Sequence, residues 1–297
     1  MDEGSILKQD FKTIINADHH ILDLHIKETI SYRDLIFLFV KRDFVSKYKQ
    51  TILGPAWAII QPLLTTLVFT VVFGRLAGLS RSDIEGAYIL PGFLFYMAGN
   101  ICWSYFSATL SSTSSTFISN AAIMGKVYYP RLVTPIAIAF SNFISFIIQF
   151  FVFVIILAYY IMRGDTSIIL TVKILLVPIT VLELMILSVG CGIIVSSVTT
   201  KYRDMQMLVS FGLQLWQYAS PIAYGLTLIS SAGSGKYMTI FMLNPITPII
   251  TTFRYAVFGF GYFNMFYYSI SWLISVLIFV IGLILFSRIE RTFMDTI

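Results

Sequence analysis

The 297-residue sequence predicts an all-α integral membrane protein with six transmembrane helices, an N-terminal amphipathic interface helix and external re-entrant helices before the last span. Hydrophobic residues make up 57% of the chain and charged residues 12%, where a soluble domain has about 25% charged residues. The mean hydropathy is +0.83, and the apolar runs are continuous rather than alternating. This composition excludes an ordinary cytosolic enzyme, a nucleic-acid-binding protein and a disordered chain.

Six apolar runs reach the length of about 20 residues that a helix needs to cross a membrane. They cover residues 52–76, 88–110, 134–162, 174–200, 205–224 and 269–287. The N-terminus is polar and carries no signal peptide, so we expect it to stay in the cytoplasm. Eleven Lys and Arg residues near span ends then lie inside and six outside. The positive-inside rule therefore predicts that both termini are cytoplasmic.

Residues 34–50 are predicted to form an amphipathic helix in the inner membrane interface, because their apolar run is too short to span. Four apolar or aromatic residues at steps of three and four share one face: Phe37, Val40, Phe44 and Tyr48. Polar residues make the opposite face: Arg42, Asp43, Ser46, Lys47, Lys49 and Gln50. Two interpretations remain open, a plain membrane anchor and a lever that contacts a cytoplasmic partner.

Two further segments interrupt the series of spans. Residues 111–131 form a cytoplasmic insert that is long for a simple connector, and Pro130 should end any helix before Tyr129. We expect a short helix there, with a solvated loop as the alternative. Between Lys236 and Arg254 only 17 uncharged residues occur, interrupted by prolines. A re-entrant or surface-lying helix pair fits this segment better than a seventh and eighth span.

The residues that most catalytic or metal sites require are scarce in the predicted membrane region. Glu183 is the one acidic residue expected within the bilayer, as an ion relay or as a hydrogen-bonded helix contact. All three histidines lie in the polar N-terminal tail. The segment before Lys236 resembles the end of a phosphate loop, but Ser230 and Tyr237 break the required pattern. We therefore expect no catalytic residue, metal or cofactor in this chain.

Spans one and five combine aromatic rings with uncharged polar groups. In span one, Trp57, Gln61 and Thr65 recur every four residues. In span five, four polar residues step by four, four and three: Gln206, Ser210, Gln214 and Gln217. Such stripes suit sugar chains, which offer hydroxyls and apolar ring faces, and they suit helix–helix contacts equally well.

Four segments in a fixed order carry a family resemblance. They are LFVKRDFVSKYKQTILGPAWAIIQPLL (38–64), PGFLFYMAGNICWSYF (91–106), SNAAIMGKVYYPRLVTPIAIAFSNF (119–143) and FMLNPITPIITTFRYAVFG (241–259). Together they resemble the ABC type-2 exporter permeases for polysaccharides, the Wzm-like and TagG-like family of O-antigen, capsule and teichoic-acid permeases. The resemblance covers residues 38–288.

The resemblance implies a homodimer that associates with two copies of a separate cytoplasmic ABC ATPase, which binds the ATP and Mg. It implies export of a polysaccharide linked to polyprenyl diphosphate across the bacterial inner membrane. We therefore expect the chain to comprise a cytoplasmic tail (1–33), the interface helix (34–50), the transmembrane domain (52–288) and a second cytoplasmic tail (289–297). Two alternatives remain: an ABC type-2 exporter of a lipid or small molecule, and an integral membrane transferase.

The resemblance also assigns roles to residues. It places the substrate channel between spans one and five of two protomers, lined by Trp57, Gln61, Thr65, Phe69, Gln206, Ser210, Gln214, Gln217 and Tyr218. The implied ATPase-coupling residues are Arg42, Lys47, Phe117, Ser119, Asn120, Ile123, Met124, Lys126, Tyr129, Pro130 and Arg131. The implied external gate contains Asn244, Pro245, Pro248 and Arg254.

Overall fold

The computed structural model describes residues 26–77, 90–127, 129–164, 171–199, 204–226 and 236–292, with single positions 166, 168, 202 and 229. Every regular element in these residues is helical, which confirms the all-α prediction. The helices are α1 (Ile26–Ser31), α2 (Arg33–Tyr48), α3 (Trp57–Phe69), α4 (Gly92–Ser114), α5 (Thr116–Met124), α6 (Val133–Arg163), α7 (Leu176–Thr199), α8 (Met205–Tyr218), α9 (Lys236–Leu243), α10 (Ile246–Phe258) and α11 (Met265–Thr292).

Four helical segments among the described residues are long and apolar enough to cross a membrane. They are Gly54–Leu76, Val133–Arg163, Val172–Thr199 and Met265–Ser287. The first comprises α3, a 3₁₀ turn before it and a π-helical segment after it. The third is α7 with a preceding 3₁₀ turn. These segments match predicted spans one, three, four and six to within a few residues.

The second and fifth predicted spans have a different character. Helix α4 has 23 residues, about 35 Å, but it is rich in Ser and Thr and falls outside the four apolar segments. Most of its side chains are buried by neighbouring helices, so they need not be compatible with lipid. Helix α8 has 14 residues, about 21 Å, because turns follow from Ala219 onward. The count of six spans therefore remains a prediction.

Helix α4 lies at the centre of the bundle, where it packs against α3, α6 and α7. Helix α7 packs in turn along α11, and glycines permit this close approach. A Cβ added at Gly190 would lie 2.8 Å from the Cα of Phe279, and one at Gly282 would lie 2.9 Å from the Gly190 carbonyl oxygen. The α7–α11 contact therefore depends on residues without side chains.

The segment before the last span contains two short helices, α9 and α10. They have 8 and 13 residues, about 12 Å and 20 Å, which is too short for the alternative of a seventh and eighth span. Asn244 and Pro245 separate them. Helix α10 is almost completely buried against α4, α7 and α11. Its re-entrant position in a membrane remains a prediction.

The two helices predicted for residues 34–50 and 111–131 are present. Helix α5 confirms the short helix in 111–131, and it buries Phe117 and Met124, which excludes the solvated loop. For α2, contact of the predicted apolar face with the membrane stays a prediction. The buried residue is Phe39, whose ring lies 5.5 Å from that of Tyr129, whereas Phe37 is 74% exposed. Because α2 packs along α6, its polar face turns toward α5 and α6 and lines a cavity.

Candidate functional site

A cavity of about 540 Å³, here called the span cavity, lies among α2, α3, α4, α6 and α8. Trp57 and Gln61 reach it from α3, and Ser210 reaches it from α8. The structure thus brings together three of the nine predicted channel residues within one protomer. The rest of the lining is mostly uncharged and polar, and Lys47 is its one charged residue. Such a surface offers hydrogen bonds and aromatic rings to a neutral polar ligand.

The other predicted channel residues lie away from this cavity: Thr65, Phe69, Gln206, Gln214, Gln217 and Tyr218. The Thr65 hydroxyl donates to the Gln61 carbonyl oxygen at 3.0 Å, which satisfies it within α3. Gln214 and Tyr218 are exposed. No side chain of α8 is fully buried, and its apolar surface includes Phe211 and Leu215. The contribution of α8 to a channel thus depends on what covers this surface.

Helices α4 and α6 contribute polar residues to the span cavity that were not among the predicted channel residues. They are Ser104, Ser107 and Ser111 on α4, with Ser145 and Gln149 on α6. Their steps of three and four place each set on one helical face, a signal that was available in the sequence. Gln149 is only 7% exposed, and its Oε1 has no hydrogen-bond partner. A buried polar atom of this kind usually has a hydrogen-bond partner, and no described residue supplies one.

A second cavity of about 560 Å³, here called the interface cavity, lies among α2, α4, α5 and α6. Its lining combines the polar face of α2 with hydroxyl and amide groups: Arg42, Asp43, Ser46, Lys47, Ser112, Ser115, Ser119, Asn120, Ser141 and Asn142. Ile123 and Ile138 complete the lining. Lys47 lines both cavities and therefore marks the place where they meet.

Arg42 connects the interface helix to α5. Its guanidinium binds Asp43 at 2.8 Å, donates to Oδ1 of Asn120 at 3.2 Å and lies 4.3 Å above the ring of Phe39. Lys47 is less engaged, since its Nζ lies 3.5 Å from Oδ1 of Asn142. Partial desolvation lowers the pKa of Lys47, although the residue as a whole is exposed.

The predicted coupling residues divide into two groups. One group is buried and holds α5 and the following turn on the bundle: Phe117, Asn120, Met124, Tyr129 and Pro130. Phe117, for example, stacks on Phe286 with ring centroids 4.7 Å apart. The other group, Ser119, Ile123 and Lys126, is exposed, and Arg131 is half-buried. Ile118 and Val127, which were not predicted, add exposed apolar surface beside them.

Arg254, a predicted gate residue, is buried with 2% of its surface exposed. Its Nη1 donates to the Pro221 carbonyl oxygen at 2.6 Å, and its Nη2 donates to those of Ile222 at 2.8 Å and Phe95 at 3.1 Å. A Cβ added at Gly99 would lie 2.5 Å from Nη2, so glycine at this position makes room for the guanidinium. Arg254 therefore ties α10 to α4 and to the turn after α8.

Asn244 makes a second connection to the end of α8. Its Oδ1 accepts from Nε1 of Trp216 at 3.0 Å, and its Nδ2 donates to Oγ of Ser220 at 3.1 Å. We call Asn244, Arg254 and these partners the brace. Pro248 is also buried, and Pro245 accepts a hydrogen bond through its carbonyl oxygen. Within the brace, Arg254 is buried and Asn244 is half-buried, and a gating role for these residues remains a prediction.

Glu183 is fully buried beside the brace. The Ser271 hydroxyl lies 2.6 Å from Glu183 Oε1 and 2.8 Å from the Pro245 carbonyl oxygen. Glu183 therefore connects α7, α11 and the link between α9 and α10, which favours the helix-contact interpretation over the ion relay. Across the described ranges, no group of three or more His, Cys, Asp or Glu residues is placed to hold a metal ion.

Comparison with known proteins gives consistent matches. A family model described as "ABC-2 type transporter" matches residues 34–258. A relative from Klebsiella pneumoniae, named "O-antigen export system permease protein RfbA", is 26% identical over 276 residues, which cover 92% of this chain and 99% of the relative. A protein of the same name from Myxococcus xanthus is 26% identical over 235 residues, which cover 78% of this chain and 83% of that protein.

Proposed function

The chain belongs to the ABC-2 type transporter family, and we propose that it is the membrane permease of an ATP-driven exporter of a lipid-linked, O-antigen-like polysaccharide. The predicted absence of an enzymatic role agrees with its relatives, which are named as permeases of an export system. Family membership makes the chain a transporter subunit and removes the main reason to consider a membrane transferase.

The composition of the span cavity is the observation that carries the choice of substrate. Trp57, Tyr48 and uncharged hydroxyl and amide groups surround it. Sugars present hydroxyls to such groups and apolar ring faces to aromatic side chains, whereas a hydrophobic lipid or drug would leave the polar groups without partners. The names of the relatives point to the same class of substrate. We infer a polysaccharide attached to polyprenyl diphosphate.

The proposed assembly is a homodimer with two cytoplasmic ABC ATPase subunits, which bind ATP and Mg. Exposed Ile118, Ile123 and Val127 on and after α5 offer an apolar contact for the ATPase. The exposed apolar faces of α3 and α8 offer a contact for the second protomer. We also propose six spans, counting α4 and α8, with both termini on the cytoplasmic side of the inner membrane. The distribution of basic residues supports this orientation.

The proposal is tested by expressing the chain together with its proposed ABC ATPase partner. The pair is expected to purify as a complex that hydrolyses ATP, and a strain lacking the permease is expected to lose its surface glycan. A complex without ATP hydrolysis, together with a deletion strain that keeps its glycan, would contradict the proposal. Stimulation of ATP hydrolysis by a small molecule, but never by a lipid-linked glycan, would support the alternative exporter.

A further inference from the structure

The two cavities differ in chemistry and share one residue. The interface cavity contains two cations, Arg42 and Lys47, and one anion, Asp43. The span cavity has uncharged polar groups and the rings of Tyr48 and Trp57. Lys47 belongs to both linings. A ligand with an anionic part joined to a neutral polar part could therefore occupy both cavities with Lys47 at its junction.

Lys47 is the cation of this region best placed for an external anion. Arg42 already donates to Asp43 at 2.8 Å and to Asn120 at 3.2 Å. The charges of Arg42 and Asp43 therefore largely offset one another. The Nζ of Lys47 has an amide oxygen at 3.5 Å, a long contact that an anion could replace. Hydroxyl groups in the same lining can donate further hydrogen bonds to phosphate oxygens.

Gln149 supplies an independent observation in the span cavity. Its side chain is more than nine-tenths buried, lines the cavity and leaves Oε1 without a hydrogen-bond donor. An unpartnered buried carbonyl oxygen destabilises the protein, and a hydroxyl donated by a bound ligand would remove that cost. The serines on α4 face the same space and can both donate and accept.

The two positions are arranged along one face of α6. Asn142, which contacts Lys47, precedes Gln149 by seven residues, or two helical turns and about 10 Å. Ser145 lies between them, within 3.2 Å of the Tyr48 hydroxyl. This continuous polar path leads from the interface helix into the bundle, so an anion at Lys47 and a neutral group at Gln149 can belong to one extended molecule.

We propose that Lys47 binds the diphosphate of the lipid-linked substrate in the interface cavity while Gln149 binds a hydroxyl of the adjoining sugars in the span cavity. This inference rests on the proposed export function and adds a two-part recognition site to it. Lys47 then selects for the diphosphate, and Gln149 with the α4 serines selects for a lipid that carries its glycan.

The diphosphate part is tested with the full chain and its ATPase reconstituted in nanodiscs, using undecaprenyl diphosphate as the probe. Lys47→Gln is expected to weaken binding about tenfold or more, while Lys47→Arg keeps the charge and most of the affinity. Lys49→Gln at the end of the same helix is the matched control, because Lys49 is exposed like Lys47 but lines neither cavity. Equal affinities for the Lys47→Gln and Lys49→Gln proteins would overturn the assignment.

The sugar part is tested by comparing the bare carrier with the glycan-bearing lipid. Gln149→Leu is expected to leave the binding of undecaprenyl diphosphate unchanged and to weaken binding of the glycan-bearing lipid several-fold. A loss for both lipids, or for neither, would overturn the role of Gln149. Unchanged thermal unfolding of each variant complex shows that the protein remains folded in these measurements.

An anionic membrane lipid could offer the same phosphate chemistry, so nanodiscs with and without phosphatidylglycerol are compared. If undecaprenyl diphosphate competes equally well in both kinds of nanodisc, the site binds the lipid carrier. If the difference in binding between wild type and Lys47→Gln disappears in nanodiscs that contain phosphatidylglycerol, the site binds membrane lipid and the proposal is overturned. If the wild-type complex exports glycan and the Lys47→Gln complex exports it equally well, only this inference fails. If the wild-type complex neither binds the lipid nor exports glycan, the proposed function fails.

Discussion

Polar groups serve opposite purposes at the brace and at the two cavities. In the brace, Arg254 and Asn244 place their donors on oxygens of α4 and of the turn after α8 at 2.6–3.3 Å. At the cavities, Lys47 makes a long 3.5 Å contact with Asn142 and lies 5.8 Å from the ring centroid of Tyr48, and Gln149 Oε1 has no hydrogen-bond partner among the described residues. Polar residues that satisfy one another stabilise a fold, whereas those left open to a cavity are available to a ligand. Burial alone does not distinguish Arg254 from Gln149, since both are less than a tenth exposed.

The comparison also explains why a cation is tolerated inside this apolar protein. Arg254 lies over the ring of Phe95 at 3.6 Å and donates to three carbonyl oxygens. Two of these carbonyls, those of Pro221 and Ile222, follow α8 and have no helical partner. The third, that of Phe95, lies in the first turn of α4 and can accept a second hydrogen bond. The guanidinium therefore offsets much of its desolvation cost by satisfying backbone groups that would otherwise remain open.

Arg254→Leu is the substitution expected to cost most. The substitution removes the donor from three carbonyl oxygens. Leaving a buried carbonyl oxygen without its donor costs about 1–3 kcal/mol, so the free energy of unfolding should fall by about 3 kcal/mol or more. Thermal unfolding of the purified protein in detergent measures this loss. Arg75→Gln is the control, because Arg75 is exposed. Equal midpoints for the two variants would show that the brace does not stabilise the bundle.

Gly99→Ala should have the next largest effect, because the added Cβ would lie 2.5 Å from Nη2 of Arg254. The guanidinium must shift away from its carbonyls, at an expected cost of about 1–3 kcal/mol. Gly212→Ala in α8 is the matched control, since an added Cβ there meets nothing within 4 Å. Thermal unfolding should therefore separate the two variants clearly. A Gly99→Ala protein as stable as Gly212→Ala would mean that Arg254 has freedom to move.

Much of the fold could be predicted from the sequence because hydrophobic runs report lipid exposure directly. The runs that became α6 and α11 are examples. Helix α4 shows where hydropathy fails as a predictor. Its Ser and Thr residues lower the mean hydropathy, but they are enclosed by other helices and are therefore compatible with a position in the membrane. For α2 the helical periodicity could be read from the sequence, but the sequence did not indicate which side of the helix packs against α6. Gln149 could have been found by its spacing from Ser145, but its unpartnered oxygen depends on neighbours that only the folded chain brings together.

Gln149→Leu tests the region of the cavities and, unlike the brace variants, should cost little stability. Leucine removes an unsatisfied Oε1, so the free energy of unfolding should stay within about 1 kcal/mol of the wild-type value or rise slightly. Glycan export should fall nonetheless, because the sugar loses its acceptor. Thermal unfolding and surface-glycan display are measured on the same variant. A destabilised protein with normal export would place Gln149 among the structural residues of the bundle.

The smallest effects on stability are expected for Trp57→Ala and Gln214→Leu, since Trp57 is 44% exposed and Gln214 lies on an exposed face of α8. Both should assemble normally with the ATPase and slow export. They differ in what they report. Trp57 lines the span cavity within one protomer, whereas Gln214 lies outside it and can contact substrate only where α8 faces another surface of the channel.

A loss of export in both variants would therefore support a channel that two protomers complete, with the span cavity as part of its wall. A loss restricted to Trp57→Ala would confine recognition to the span cavity and leave α8 in contact with lipid. Unchanged glycan output in both would remove the channel assignment from α3 and α8. The contrast with the brace would then rest on Lys47 and Gln149 alone. Both residues line cavities that form within one protomer.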